Sequence, residues 1–302
     1  MSDSAHIDAL REFFTVQQSE ARRVFHGRGH SYPGLEHLCV DWYGPVLLVS
    51  NYAEQALDDT LFEAIQQVDN ARQIRSIVVQ QRNVIGAPAE TVWGEAVEEV
   101  IVQENGLRFE VHPGRRQNAG LFLDMRLMRQ WLTTQCHGCN VLNLFAYTCS
   151  LSVAALAGGA SQVVNVDVSK PSIAWGSRNH RLNGQDERQV KTVPHNLFTS
   201  WRRIQQYGRY DLVIIDPPTR QRGSFDASKD YAAVLKKLPK LLSPGGRFIA
   251  ALNSPFLGAD FVLEQVHRFL PEAELLERLP IAPEFPESDP EKGLKIFLFR
   301  LS

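Results

Sequence analysis

The run Tyr210-Asp211-Leu212-Val213-Ile214-Ile215 is apolar and β-branched, and it ends abruptly at Asp216-Pro217-Pro218-Thr219. A strand of this composition fits the centre of a parallel sheet covered on both faces, and two prolines cannot continue a hydrogen-bonded ladder. Asp216 and the carbonyls of the Pro217-Pro218 pair therefore belong to the carboxyl edge of the sheet, where ligands bind in open α/β folds. Two fixed φ angles and two missing backbone donors make a stiff rim able to accept hydrogen bonds from a planar substrate.

Two further segments place chemistry on the same edge. Leu142-Asn143-Leu144-Phe145-Ala146-Tyr147-Thr148-Cys149-Ser150 is a strand-to-helix turn at a nucleotide position, without the Gly-x-Gly-x-x-Gly that a pyrophosphate needs for close approach, so a dinucleotide is disfavoured. Asn165-Val166-Asp167-Val168-Ser169 follows about twenty residues later, where an acid accepts hydrogen bonds from ribose hydroxyls. Asp167 is the ribose candidate, with helix capping as its alternative, since Ser169 can cap the Pro171 helix equally well. At Pro194-His195-Asn196 the Asn196 amide is placed either to read an adenine edge or to cap the next helix.

Strands at 140–145, 162–168, 189–193, 210–215 and 247–253 alternate with helices starting near Ser150, Lys170, Asn196 and Asp230, after a helix over 124–135. That alternation predicts an α/β fold, a doubly wound parallel sheet. A helix over 259–269 and strands at 274–279 and 295–301 follow, and the last two strands, with no helix between them, must pair antiparallel. Upstream, a helix over 5–26, strands at 35–40, 46–49 and 74–80 and a helix over 53–70 read as a small α/β domain. The expected division is 1–110 and 111–302, the first part serving RNA-substrate binding.

The chain has 302 residues, a formal net charge of −2 and four cysteines. No apolar run approaches the ~20 residues that span a bilayer. The N-terminus lacks a signal-peptide design and the cysteines are too few for a disulfide framework, so a cytoplasmic location is expected. Cys136-His137-Gly138-Cys139 finds no second ligand pair, and no metal site is expected. The charge shows no basic excess, which leaves local arginines, Arg115, Arg116, Arg126, Arg129, Arg202, Arg203, Arg220 and Arg222, as the candidates for any phosphate-binding patch.

The run Asn118 to Arg126, the Asn143-to-Ser150 turn, Val166-Asp167-Val168-Ser169, Trp175 with Arg178 to Gly184, and Asp216-Pro217-Pro218-Thr219 together resemble the class I S-adenosylmethionine-dependent RNA methyltransferases. The RlmK and RlmI types, which act on large-subunit ribosomal RNA, are the most similar. The resemblance implies a seven-stranded Rossmann-like sheet with a reversed last strand, S-adenosylmethionine as cofactor and ribosomal RNA as partner. It further implies that Asn143, Phe145, Tyr147 and Ser150 shape the methionine pocket. Phe122, Asp124 and Arg126 would close it, Arg126 pairing with the cofactor carboxylate, with Asp167, Ser169, Asn196 and Asp216 as further cofactor contacts. Asp216, Pro217 and Pro218 would face the methyl group and target base, and Thr219, Arg220 and Arg222 the RNA.

The chemistry separates within that family. Methylation of cytosine carbon 5 needs a covalent thiolate, which the RlmI type keeps after the fifth strand; here Leu252-Asn253-Ser254-Pro255 stands there and no cysteine follows Cys149. Methylation of an adenine amino group goes with an aromatic after the prolines, and here that position is Thr219. The RlmK type shares Asp-Pro-Pro-Thr and methylates guanine N7, which already has an in-plane lone pair and asks mainly for positioning. Guanine N7 is thus the favoured acceptor. The alternatives are a cysteine-independent methyltransferase on another substrate, and a cofactor-binding protein with little catalysis, suggested by His195-Asn196 and the near-neutral charge. An NAD-dependent oxidoreductase on a similar sheet is disfavoured by the missing glycine fingerprint.

Overall fold

Asn105-Gly106 takes positive φ at both residues (51° and 76°), which lets two residues turn the chain back on itself between paired Glu104 and Leu107. The hairpin it closes is one feature of the first of two compact units in the computed structural model, which describes residues 5–221 and 224–302. That unit comprises 1–126 together with 282–289, so the boundary read from the sequence at 110/111 falls inside it.

The first unit runs α1 (Ala5–Phe13), β1 (Arg22–His26), β2 (Leu38–Tyr43), β3 (Val46–Asn51), α2 (Asp59–Val68), β4 (Ser76–Gln81), β5 (Ala89–Gly94), β6 (Val100–Glu104) and β7 (Leu107–Val111). Its five-stranded sheet has the order β1-β2-β3-β4-β5, with only β3 and β4 parallel, while β6 and β7 form the hairpin. The helix expected over 5–26 stops at Phe13, where the Gln18 side-chain amide takes the Phe13 carbonyl, and Arg22–His26 is a strand whose Arg23 pairs with Asp41 of β2. The helix expected over 53–70 starts only at Asp59, because the Asp58 carboxylate caps it by accepting the Thr60 N–H at 2.8 Å.

The second unit holds α3 (Arg126–Gln135, of which Arg126 falls in the first unit), β8 (Asn140–Leu144), α4 (Ser150–Ala157), β9 (Gln162–Val166), α5 (Lys170–Leu182), β10 (Val190–Val193), α6 (Trp201–Gln205) and β11 (Tyr210–Ile215). It continues with β12 (Arg220–Gln221), β13 (Phe225–Asp226), α7 (Ala227–Leu235), α8 (Leu238–Leu241), β14 (Leu242–Asn253), α9 (Ala259–Phe269), β15 (Ala273–Arg278) and β16 (Leu294–Leu301). The helix expected from Asn196 is a 3-10 turn, Leu197–Thr199, followed by the single short α6.

Seven strands form one sheet in the order β10-β9-β8-β11-β14-β16-β15. The first five run parallel; β16 lies antiparallel to both neighbours, as the missing crossover requires. A doubly wound, seven-stranded α/β sheet with a reversed last strand is therefore the fold. Leu212, Val213, Ile214 and Ile215 of β11 are fully buried, and Val213 and Ile215 share one core with residues of α7 and α9, among them Tyr231, Val234, Val262 and Val266. Because the five strands share one direction, Leu144, Val166, Val193, Ile215 and Asn253 all end at one edge. Among the described residues no helix is long and apolar enough to cross a membrane.

Ile214 lies between Asn143 of β8 and Ile249 of β14. Ile214→Val is expected to cost about 0.5–1.5 kcal/mol and Ile214→Ala about 2–5 kcal/mol, read as shifts of the denaturant midpoint; equal midpoints for the two variants would show that this strand is not packed as described.

Candidate active site

The turn after β8 holds Phe145, Tyr147 and Cys149 at φ of 60°, 47° and 62°, a left-handed conformation at every second residue and none of them glycine. Each such residue costs about 1–2 kcal/mol, and strain of this kind persists only where the surroundings impose it. The surroundings here are specific. The Ala146 N–H donates to the Val166 carbonyl at 3.0 Å, and the Tyr147 N–H donates to Asp167 Oδ2 at 2.8 Å. From α5, the fully buried Asn179 amide donates to the Thr148 carbonyl at 2.9 Å. One turn earlier on the same helix face, Gly176 leaves room for Cys149: a Cβ on residue 176 would stand 2.2 Å from the Cys149 Sγ. Burial, with the Asp167 charge second, raises the Cys149 thiol far above its usual range, so it is a packing group and not a thiolate.

Asp167 ends β9 and closes that edge. Its Oδ1 accepts the Ser169 N–H at 2.8 Å while Oδ2 takes Tyr147, so each oxygen keeps acceptor capacity. Burial raises its pKa against the effect of those two backbone donors. Ser169 itself caps α5 by accepting the Ser172 N–H at 3.2 Å. Asn196 also caps: its Oδ1 accepts the Phe198 N–H at 2.8 Å. Asp167, Val168, Asn196 and Phe198 line a cleft with Phe145, whose ring meets the buried Phe225 edge-on at 4.8 Å. Val168 is exposed within it. Asp167 thus sets a carboxylate with spare acceptor capacity beside an apolar cleft.

Elsewhere the expected residues are distributed as follows. Asn143 is buried inside β8, and its amide donates to Asn165 Oδ1 on β9 at 3.0 Å, away from the turn. Ser150 opens α4 and its Oγ accepts Arg129 Nη1 at 3.3 Å. Arg129 is 1% exposed, so it is no surface charge, although it had been grouped with the phosphate candidates. What the sequence did not show is its burial beside Ser150. Its signal was the three-residue spacing from Arg126, which puts both on one helix face. Arg126 differs from expectation in another way: within the first unit its Nη2 donates to Glu284 Oε1 at 2.7 Å, shared with Arg22 at 3.0 Å, so a protein carboxylate occupies it. Phe122 (43% exposed) and Asp124 also belong to the first unit, at a 3-10 turn over Leu123–Met125.

At the end of β11, Asp216 stands beside Tyr231, whose hydroxyl burial and the Asp216 charge keep un-ionised and which donates to the Ala251 carbonyl at 3.2 Å. The Thr219 hydroxyl donates to the Asn253 carbonyl, tying the Asp-Pro-Pro-Thr rim to the end of β14. Arg220 is exposed and 4.0 Å from Asp226 across the β12–β13 ribbon. Arg222 lies outside the described residues. Arg115, Arg116, Arg202 and Arg203 are exposed.

A family model described as S-adenosylmethionine-dependent methyltransferase matches residues 22–300. The ribosomal RNA large subunit methyltransferase K/L of Shewanella pealeana is 39% identical over 160 residues, which are 51% of this chain and 22% of that protein. Its namesake in Vibrio cholerae is 32% identical over 238 residues, 77% of this chain and 33% of that protein. The chain thus spans between about a fifth and a third of the length of these curated relatives. SMU.776, assigned as a methyltransferase and solved in complex with SAH, superposes with a TM-score of 0.84 at 25% identity, covering 100% of this chain and 82% of that one.

Two outcomes test the frame of the site. Asp167→Asn keeps one good acceptor oxygen where two backbone donors need one each, and is expected to cost about 1–3 kcal/mol of stability in denaturant unfolding; no loss would mean that the carboxylate does not hold the turn. Below the turn, Gln185 Nε2 donates to the Val153 carbonyl, so its Oε1 faces His180 and takes the Nδ1–H at 2.6 Å, while Nε2 faces the Ser152 hydroxyl at 3.0 Å. Burial lowers this imidazole to about 4, the Gln185 hydrogen bond opposing. The unfolded chain therefore takes up a proton near pH 6.5 that the folded chain refuses until about pH 4. Stability falls as pH drops through that window, by at most about 1.4 kcal/mol per unit for this group, and levels off below it. His26, lowered to about 3 by burial and the nearby arginines, adds in the same direction. A His180→Gln variant is expected to show a shallower dependence of melting temperature on pH, and an unchanged slope would remove His180 as a cause.

Proposed function

The chain belongs to the S-adenosylmethionine-dependent methyltransferases, and we propose that it methylates a base of large-subunit ribosomal RNA, with guanine N7 as the acceptor. Its cofactor is S-adenosylmethionine, whose sulfonium supplies an electrophilic methyl group.

In this reading Asp167 accepts the ribose hydroxyls, and Val168, Asn196 and Phe198 receive the adenine. Tyr147, Phe145 and the first residues of α4 surround the methionine end, where the buried Arg129 guanidinium beside Ser150 complements a carboxylate. Asp216 and the Pro217 and Pro218 carbonyls hold the target base in plane and exclude water, so that a lone pair is presented along the line of transfer. Residues 1–110, with the exposed Arg115 and Arg116 just beyond them and Arg220 on the catalytic unit, serve the RNA backbone.

The observation that carries the ring-nitrogen reading is the end of β14. Ser254 stands there fully buried, its Oγ accepting the Phe256 and Leu257 N–H groups at 3.2 Å each, and no thiol follows it in the chain. Among the described residues the end of β14 offers no thiol for covalent addition to a pyrimidine, and the Cys149 thiol in the turn after β8 is buried. Guanine N7 needs none. The K/L names of the relatives from S. pealeana and V. cholerae support the RNA.

Calorimetry is expected to show binding of S-adenosylmethionine and none of NAD. Tritiated methyl transfer to unmodified large-subunit ribosomal RNA is expected for the wild type, with a drop of about a hundred-fold or more in Asp216→Ala. Nuclease digestion with mass spectrometry is expected to return 7-methylguanosine; a methyl group on carbon or on an exocyclic amine would overturn the acceptor, and no transfer would overturn the activity.

A further inference from the structure

Phe256 is 88% exposed, a large apolar ring in water on the loop between β14 and α9. The loop that carries it is fastened at both ends. Ser254 Oγ accepts the N–H groups of Phe256 and Leu257, and the Ser254 carbonyl accepts Lys295 Nζ at 3.1 Å. That ammonium is itself fully buried and also donates to the Glu291 carbonyl at 2.6 Å. The Glu291 carboxylate in turn accepts the Ala259 N–H at 2.5 Å. The backbone on both sides of the exposed ring is thus held by hydrogen bonds.

Its place in the unit gives the ring a use. Asn253, three residues before it, receives the Thr219 hydroxyl, so the Phe256 loop is joined directly to the Asp-Pro-Pro-Thr rim, and Phe256 lies within roughly 10 Å of that junction by chain reach. The rim lacks an aromatic of its own after the prolines, where Thr219 stands. A base brought out of its stack loses both neighbours and is held by a π-face at the site that receives it.

We propose that Phe256 is the stacking platform for the target base or its immediate neighbour, supplying from the β14 loop the aromatic face that the β11 rim lacks. The proposal rests on the reading of the chain as an RNA base methyltransferase. Ser254 and Lys295 are positioning residues for it, acting through the loop. Stacking of a base on an aromatic side chain tolerates any ring but not its loss, so removing Phe256 is expected to weaken RNA use by about five-fold to a hundred-fold while leaving the cofactor site alone.

The full chain and its Phe256→Ala, Phe256→Leu and Phe256→Trp variants are compared on in vitro transcribed large-subunit ribosomal RNA. Three quantities are read: kcat/KM for methyl transfer, RNA affinity in the presence of S-adenosylhomocysteine, and S-adenosylmethionine affinity by calorimetry. Support is a fall in both RNA readouts for Ala and Leu, recovery in Trp, and unchanged cofactor affinity in all three. Equal RNA readouts for Ala and wild type overturn the platform, as do wild-type behaviour of Leu, which keeps bulk without a π-face, and a parallel loss of cofactor affinity, which makes the residue structural. A wild-type chain that binds this RNA without methylating it overturns the proposed activity but leaves Phe256 to be judged on affinity; one that does not bind it overturns both.

Discussion

One carboxylate, Asp167, ties together two connections at the carboxyl edge of the sheet. Its two oxygens take the N–H of Tyr147 from the turn after β8 and that of Ser169 from the cap of α5, so two neighbouring strand-to-helix connections are locked to the same side chain. The left-handed residues at 145, 147 and 149 are possible because of that lock and because Asn179 and Gly176 meet the turn from α5. A dinucleotide site solves the close approach of backbone to ligand with glycines. Here bulky residues adopt the conformation that glycine would adopt freely, and the neighbouring helix supplies the restraint.

Much of the second unit could be read from residues alone, because parallel strands buried on both faces are written as unbroken apolar runs, of which Leu212 to Ile215 is the plainest. The first unit was harder. β1 carries Arg22 and Arg23, and β5 is almost wholly exposed, so neither shows an apolar period; β1 takes its place through the Arg23–Asp41 pair across to β2. The β6–β7 hairpin is written in the sequence by Asn105-Gly106, a two-residue turn signal between the paired strands.

At the site, residue type was legible and partnership was not. Asp167 and Asp216 declare themselves by standing at strand ends, and Ser169 and Asn196 take the capping role that their positions allowed, whereas the bond from the Thr219 hydroxyl to the Asn253 carbonyl joins two strand ends that no local pattern connects. Arg126 and Arg129 look interchangeable as written. Folding gives one of them Glu284, more than 150 residues away along the chain, and buries the other beside Ser150.

Glu284 has a consequence for the order in which the chain can be finished. It belongs with Phe285, Pro286 and Glu287 to the first unit, where it sits between Arg22 and Arg126, while Arg23 lies over the Phe285 ring and the Ser288 N–H reaches the Gly29 carbonyl. Domains emerging from a ribosome generally fold from the N-terminus as they appear. The first unit cannot do so completely: its last segment, 282–289, is translated only after 127–281 of the other unit, when all five parallel strands of that sheet have been made. The two units are therefore interlaced in time as well as in sequence: the first is completed by 282–289, and the second only afterwards, when β16 arrives to take its place between β14 and β15.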